Sequence, residues 1–213
     1  MAGRPRATGE SAGARDSRQD LLEAAARLFI EHGYPATSTR AIADRAGLRQ
    51  ASLYHYFGGK EEILEVLLTG TVRPSLLTAR ALRQVAAEPL AKLWALCRSD
   101  LDLLCGGPHN LGVLYLRPEI QAPRFAGLHA GRAELRASYR QFVLDAGADE
   151  TCADLVFGMV ESVVLTRECK PIPPGYAEAG ADAGVRIAGA SDVATVRERG
   201  LRLVARLDTV RSP

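Results

Sequence analysis

At 213 residues, 47% of them apolar and 6% aromatic, the chain can bury a real core built on Leu, Ala and Val, as one large domain or two smaller ones. A formal net charge of +2 excludes a polycation, and no run of ~18 apolar residues exists to span a membrane. Cys97, Cys105, Cys152 and Cys169 show no CxxC spacing and follow no apolar signal segment, so they read as reduced thiols in the cytoplasm.

Charge is uneven along the chain. Residues 1–60 hold nine Lys or Arg against six Asp or Glu, and the remainder is slightly acidic. Residues 1–16 are small, polar and Arg-bearing, which predicts a disordered arm. Arg4, Arg6 and Arg15 on it either touch phosphates or a minor groove, or are simply solvated.

The first helix is expected from Ser17, with Asp20 three residues on as a looser capping box. Leu21, Leu22, Ala25, Leu28 and Phe29 recur at helical spacing, and Gly33 ends the run before an extended Tyr34-Pro35 exit. Thr37, Ser38 or Thr39 can cap a second helix whose inward face is Ile42, Ala43 and Ala46. Gly47 suits a left-handed turn. A third helix, Gln50–Tyr56, shows Gln50, Ser52, His55 and Tyr56 outward and keeps Leu53 and Phe57 inward. Two helices and a turn of this kind place the second helix in a DNA major groove. Gly58-Gly59 break that helix, and Lys60 opens a fourth with Glu61 and Glu62 at its positive end.

Longer apolar helices follow. One runs from Lys60 toward Pro74, a second from Ser75 to about Val85, and a third from Pro89 with Leu90, Leu93, Trp94, Cys97, Leu101 and Leu104 on one face. Gly106-Gly107-Pro108 stops the third. A short apolar piece, Leu111–Leu116, precedes Pro118 and Pro123. Leu128 to Val143 mark a helix ending at Gly147, and Thr151 with Asp154 can cap the next, which carries Leu155 to Val164. Residues 170–190 are rich in Pro, Gly and Ala and read as a long loop. Ser191 and Asp192 cap a last helix bearing Val193, Val196, Leu203, Val204 and Leu207. No strand alternation and no repeat is present, so the class is all-α.

Residues 18–64 resemble the N-terminal domain of the TetR family of bacterial transcriptional regulators. The resemblance rests on the AAARLFIEHGY run ending at Tyr34, on IAxxAG as Ile42–Gly47, and on LYxYFxxK as Leu53–Lys60. It implies an all-α protein in three parts: an arm (1–16), a helix-turn-helix DNA-binding domain (17–62) and a helical ligand-sensing and dimerisation domain (63–213). It also implies a homodimer on double-stranded DNA, reading a palindromic operator with half-sites about one turn apart (~34–36 Å). A small-molecule effector would release it, with no cofactor and no membrane partner.

By the same resemblance, Tyr54 contacts a phosphate and His55 faces DNA; the alternative for Tyr54 is a core aromatic. Gln50 and Ser52 reach base edges, since Gln can pair with adenine. Ser38, Thr39, Arg40 and Tyr56 complete the expected DNA face, with a solvated helix arginine the alternative for Arg40, and Lys60 is expected on a phosphate beside the helix terminus. Where relatives often carry a polar residue before this lysine, Gly58-Gly59 offer no side-chain cap. Trp94, Cys97, Leu101, Tyr115, Tyr139 and Phe142 either line a ligand pocket or fill the core. Leu155, Met159, Val163, Val196, Leu203 and Leu207 mark either a dimer face or an ordinary core, with Gly158 and Gly200 allowing close helix approach.

Chemistry of other kinds finds little support. His109, His129 and the cysteines lack metal-ligand spacing on a common helix. Gly59-Lys60 is followed by Glu61, and Tyr54 stands where a phosphate loop needs its first glycine; neither HExxH nor GxSxG occurs. An activator, or a protein binding DNA without sequence preference, stays open as the rival.

Overall fold

A computed structural model describes residues 14–211, which form α-helices and short 3-10 turns. The chain divides into two compact units, Met1–Leu67 and Leu68–Pro213; the sequence placed the boundary near residue 62.

In the first unit, α1 covers Ala14–Glu31 and buries Leu21, Leu22, Ala25, Leu28 and Phe29. The helix is already formed before Ser17, so the Ser17–Asp20 box is not its start, and the expected arm gives up residues 14–16 to the helix. Arg4 and Arg6 lie outside the described residues. Pro35 takes the second position of a turn that the Thr37 N–H closes onto the Tyr34 carbonyl at 3.3 Å. Helix α2, Thr39–Arg45, starts at Ser38, whose hydroxyl accepts the Ala41 N–H at 3.1 Å. It ends at Gly47, φ +69°, where the Gly47 N–H reaches the Asp44 carbonyl and the Leu48 N–H reaches that of Ala43. That pair of bonds needs a left-handed residue, which glycine supplies without strain. Helix α3 is only Gln50–Leu53. It stops short of Tyr56 because the His55 and Tyr56 amides bond three residues back, tightening the chain into a turn.

The division between units falls within α4, Lys60–Gln84. The sequence predicted two helices broken at Pro74; one helix runs through it. Proline costs the helix one N–H and crowds the carbonyl four residues back, but leaves the bonds on either side intact. Thr78 adds a hydroxyl bond to the Pro74 carbonyl at 3.0 Å.

In the second unit, α5 (Pro89–Cys105) is the central helix, with Leu93, Trp94, Leu96, Cys97 and Leu101 buried. Three 3-10 turns, Leu111–Leu116, Pro118–Gln121 and Pro123–Phe125, lead to α6 (Ala126–Asp145). Helix α7 (Glu150–Cys169) is capped by Asp149, which accepts the Cys152 N–H at 2.9 Å, and not by Thr151. Helix α9 (Val193–Arg211) begins as expected, with Asp192 accepting from both the Thr195 amide and hydroxyl. Helices α6, α7 and α9 all pack on α5.

The largest departure is α8, Tyr176–Ile187, inside the expected loop. Its Ala and Gly content lowers apolar bulk, but Ala177, Ala181, Gly184 and Val185 fall on one buried face against α5. Small residues there allow close approach: a Cβ on Gly184 would stand 3.1 Å from the Cys97 sulfur. Trp94 anchors the same layer. Its indole N–H donates to Asp182 at 2.9 Å, and Arg197 of α9 donates to both oxygens of that carboxylate. Burial works to raise the Asp182 carboxyl, yet Arg197 and Trp94 outweigh it and hold it below its ordinary value.

Candidate nucleic-acid interface and effector cavity

The inward residues of the first unit fix what its surface shows. Ile42, Ala43, Leu53 and Phe57 are buried, so the opposite sides of α2 and α3 face outward. On that surface the Gln50 amide donates to the Thr39 hydroxyl at 3.0 Å, and the Tyr54 hydroxyl lies 3.2 Å from the same oxygen. Tyr54 is 53% exposed, which settles it as a surface tyrosine and not a core one. Ser38, Arg40 and His55 are exposed, while Ser52 and Tyr56 are half-buried. Arg40 faces Asp44 at 3.8 Å on its own helix, with both side chains largely in solvent. An exposed pair of that kind holds weakly and leaves Arg40 available.

Lys60 departs from expectation. Its ammonium donates to the backbone carbonyls of Tyr34, Pro35 and Thr37 at 2.9, 3.2 and 3.0 Å, and sits 4.4 Å from the Tyr34 ring centre. An ammonium has three N–H donors. All three are engaged within the unit, so this side chain ties the start of α4 to the loop before α2 and is not a free phosphate donor. The Gly58-Gly59 junction is also firmer than its composition suggests: the Glu62 carboxylate reaches back to accept the Gly58 N–H at 2.7 Å. The cap comes from the third residue inside the helix, as in half of a capping box.

Sequence reasoning passed over Arg49. It is the N-cap residue of α3, exposed, and adjacent to Gln50. A cation immediately before the reading helix was the available signal.

The second unit holds a cavity of about 290 Å³. Val72, Leu104, Leu135, Phe157 and Val164 supply its apolar wall. Of the expected pocket residues, only Tyr115 lines it. Trp94, Cys97, Leu101, Tyr139 and Phe142 are fully or almost fully buried and do not line this cavity, because α5 presents that face to α8 and α9 and α6 turns its apolar side inward. The Tyr115 hydroxyl donates to the Leu68 carbonyl at 3.0 Å and also meets Thr71; burial pushes it up to about 12.

Three charged side chains reach the cavity, and the sequence singled out none of them. Arg132 pairs with Glu161 and lies over the Tyr115 ring at 4.7 Å. Asp100 is 4% exposed and accepts from the Ser75 hydroxyl at 2.6 Å and the Tyr139 hydroxyl at 2.9 Å. Burial raises its carboxyl to about 6, against the pull of those two hydroxyls. The signal was an aspartate on the buried face of an apolar helix.

The residues expected at a dimer face divide. Val163, Val196 and Leu203 belong to the chain's own core, and Met159 and Leu207 pack half-buried against it. Their spacing is the inward spacing of α7 and α9. Leu155, by contrast, is 56% exposed. Gly200 likewise serves the core, since a Cβ there would stand 2.4 Å from the Trp94 ring, whereas Gly158 meets nothing within 4 Å. Among the described residues, no three His, Cys, Asp or Glu side chains are grouped to hold a metal, and no helix is long and apolar enough to cross a membrane.

A family model described as bacterial regulatory proteins, tetR family, matches residues 21–67, which contain α2, α3 and the Lys60 tie. The HTH-type transcriptional repressor KstR2 of Mycobacterium tuberculosis is 34% identical over 137 residues, covering 62% of this chain and 67% of that protein. The chain belongs to the TetR family. The crystal structure of Mycobacterium smegmatis AmtR is similar over 96% of this chain and 98% of its own, with a TM-score of 0.83 and 39% identity. The structure of the ketosteroid transcriptional regulator KstR2 of M. tuberculosis covers 84% of this chain and 95% of its own, with a TM-score of 0.65 and 27% identity. In this TetR-family chain the matched segment is the helix-turn-helix DNA-binding domain, and the Thr39–Gln50–Tyr54 cluster lies on it.

Proposed function

We propose that this protein is a transcriptional repressor that binds a palindromic operator as a homodimer and leaves it when a small molecule enters the cavity of the second unit. The observation that carries this reading is the exposed cluster in which Gln50 and Tyr54 meet at the Thr39 hydroxyl, within the segment matched by the family model. Gln50 and Ser52 face base edges, with Gln50 suited to adenine. Tyr54, Arg40 and Arg49 address phosphates, while Ser38, His55 and Tyr56 border the same face. Lys60 holds the head together instead of touching DNA. The name of the KstR2 relative, a repressor, supports repression over activation. The matched family and the named relatives are regulators, so catalysis is no part of the reading. The protein acts in the cytoplasm, beside the DNA it reads.

The dimer face we assign is the exposed stripe of α7. Leu155 and Leu165 are 56% and 54% exposed, and Gly158 and Ser162 lie between them at helical spacing; Gly158, Ser162 and Leu165 also line the cavity, so this face borders the effector site. A second copy covering that stripe removes apolar surface from water, which a lone copy leaves wet. Leu201, also exposed, extends the candidate surface on α9.

Selection of binding sites from random duplex DNA tests the reading. The full chain should enrich a palindrome with half-sites about one helical turn apart, and Tyr54→Ala should lose most of that binding. Equal affinity for every duplex, governed only by salt, would refute a specific regulator.

A further inference from the structure

The charges around the cavity do not balance. Arg132 and Glu161 face each other, so each answers the other's charge. Among the described residues Asp100 has no ion pair: its two oxygens accept from the neutral hydroxyls of Ser75 and Tyr139, one each, and Arg132, which also acts on its charge, is paired with Glu161. A carboxylate can accept about four hydrogen bonds, so half of its capacity stays open. The residue is almost wholly buried, which makes an uncompensated negative charge costly there. Counted together, the charged lining is two carboxylates and one guanidinium, in a cavity whose remaining wall is largely Val72, Leu104, Leu135 and Val164.

We propose that the effector is a small organic cation, a protonated amine on a compact apolar body, whose ammonium pairs with Asp100 while its hydrocarbon part fills the apolar wall. This rests on the cavity being the effector site. An amine supplies both things that are missing: a counter-charge for Asp100 and N–H donors for its open lone pairs. A carboxylate ligand would have to displace Glu161 from Arg132 and would place a third negative charge beside Asp100 and Glu161. At about 290 Å³ the cavity lies at the lower end of the ~300–1,000 Å³ range of ligand pockets, which favours a compact ligand.

The test is calorimetric titration of the full chain with hexylamine, hexanol and hexanoate, which share a hydrocarbon chain and differ in charge. Hexylamine should bind saturably and roughly tenfold or more tighter than the other two. Asp100→Asn should abolish the preference for the amine. Arg132→Gln should keep or strengthen amine binding, because it removes the cation that opposes the ligand, and this second variant keeps the proposal falsifiable if the first does not fold. Preference for hexanoate that disappears in Arg132→Gln would overturn the proposal. So would equal binding of all three, or binding of none. Operator binding by the same preparation, measured without added ligand, separates the two readings. Its loss counts against the repressor, whereas intact operator binding with no amine preference counts against the cation alone.

Discussion

Replacing Lys60 by methionine distinguishes a tie within the head from a contact with DNA. The substitution keeps most of the hydrocarbon stem and removes three charged N–H···O bonds to the carbonyls of Tyr34, Pro35 and Thr37, together with a cation over the Tyr34 ring. Bonds from charged donors contribute about 1.5–3 kcal/mol each to net stability when well buried. Here the lysine is half-buried and water can replace it at the freed carbonyls, so the combined loss should be nearer 2 kcal/mol than 6. That loss is local. Hydrogen exchange should quicken at Thr37 and Ala41, whose amides close the turn and cap α2, and stay unchanged in α5. Operator affinity should fall because α2 and α3 are less well held, while the slope of log affinity against log salt stays the same. A slope smaller by about one unit, with exchange at Thr37 unaltered, would show that Lys60 holds a phosphate and that the tie is not its role.

Asp100→Asn should remove a pH dependence. A folded value of about 6 lies above the ordinary 3.8, so the folded chain binds the extra proton. The stability this gives is fully present below pH ~3.8 and is lost as pH rises through about 6, a swing of roughly 3 kcal/mol. Glu161, Arg132, Tyr115, Tyr139 and Cys97 share its electrostatic surroundings and are unchanged in the variant. Urea titrations followed by Trp94, the chain's one tryptophan, should therefore show the variant gaining on the parent between pH 4 and pH 7; parallel curves would contradict the assignment. Gly200→Ala should destabilise by roughly 1–2 kcal/mol, since the clash with the buried Trp94 ring exceeds the ~1 kcal/mol helix gain, whereas Gly70→Ala on the exposed side of α4, with nothing within 4 Å of the added Cβ, should keep that gain. Equal shifts in melting temperature for the two would mean that α9 does not pack on Trp94. Glu62→Ala, which frees the Gly58 N–H, should leave effector affinity unchanged and shrink the effect of effector on operator affinity; an undiminished effect would show that this bond carries none of the coupling.

Periodicity and caps carried much of the fold. Leu21 to Phe29, the Ser38 cap, Gly47, Pro89 and Asp192 all do what their chemistry predicts, because each acts through neighbours a few residues away. What failed depends on distant partners. Helix α8 was hidden because its Ala and Gly face reads as loop until α5 lies against it. Pro74 looked like a break because a local rule assigns it one, although flanking turns carry the helix past it. For Lys60 the sequence offered a phosphate role, and its bonds to the carbonyls of Tyr34, Pro35 and Thr37 were beyond what the sequence shows. The cavity was the least legible part. Large aromatics drew attention, and all of those named but Tyr115 fill the core; the charged part of the cavity wall comes from Asp100, Arg132 and Glu161, contributed by three different helices.

The Lys60 and Glu62 bonds bear on how a signal could pass. Were the Gly58-Gly59 junction loose, a movement of α4 would dissipate there and leave the reading surface where it was. The geometry argues otherwise. Glu62 fixes the junction to the first turn of α4, and Lys60 fixes that same turn to the loop that sets the start of α2. These bonds join the head to the first turn of α4, and on the proposed reading displacement of that turn carries Gln50 and Tyr54 with it. Under the proposed function, a ligand need not unfold or bend the head to change operator affinity. It need only bind more tightly when α4 adopts a position that the operator disfavours, and the size of the response is set by that difference in affinity.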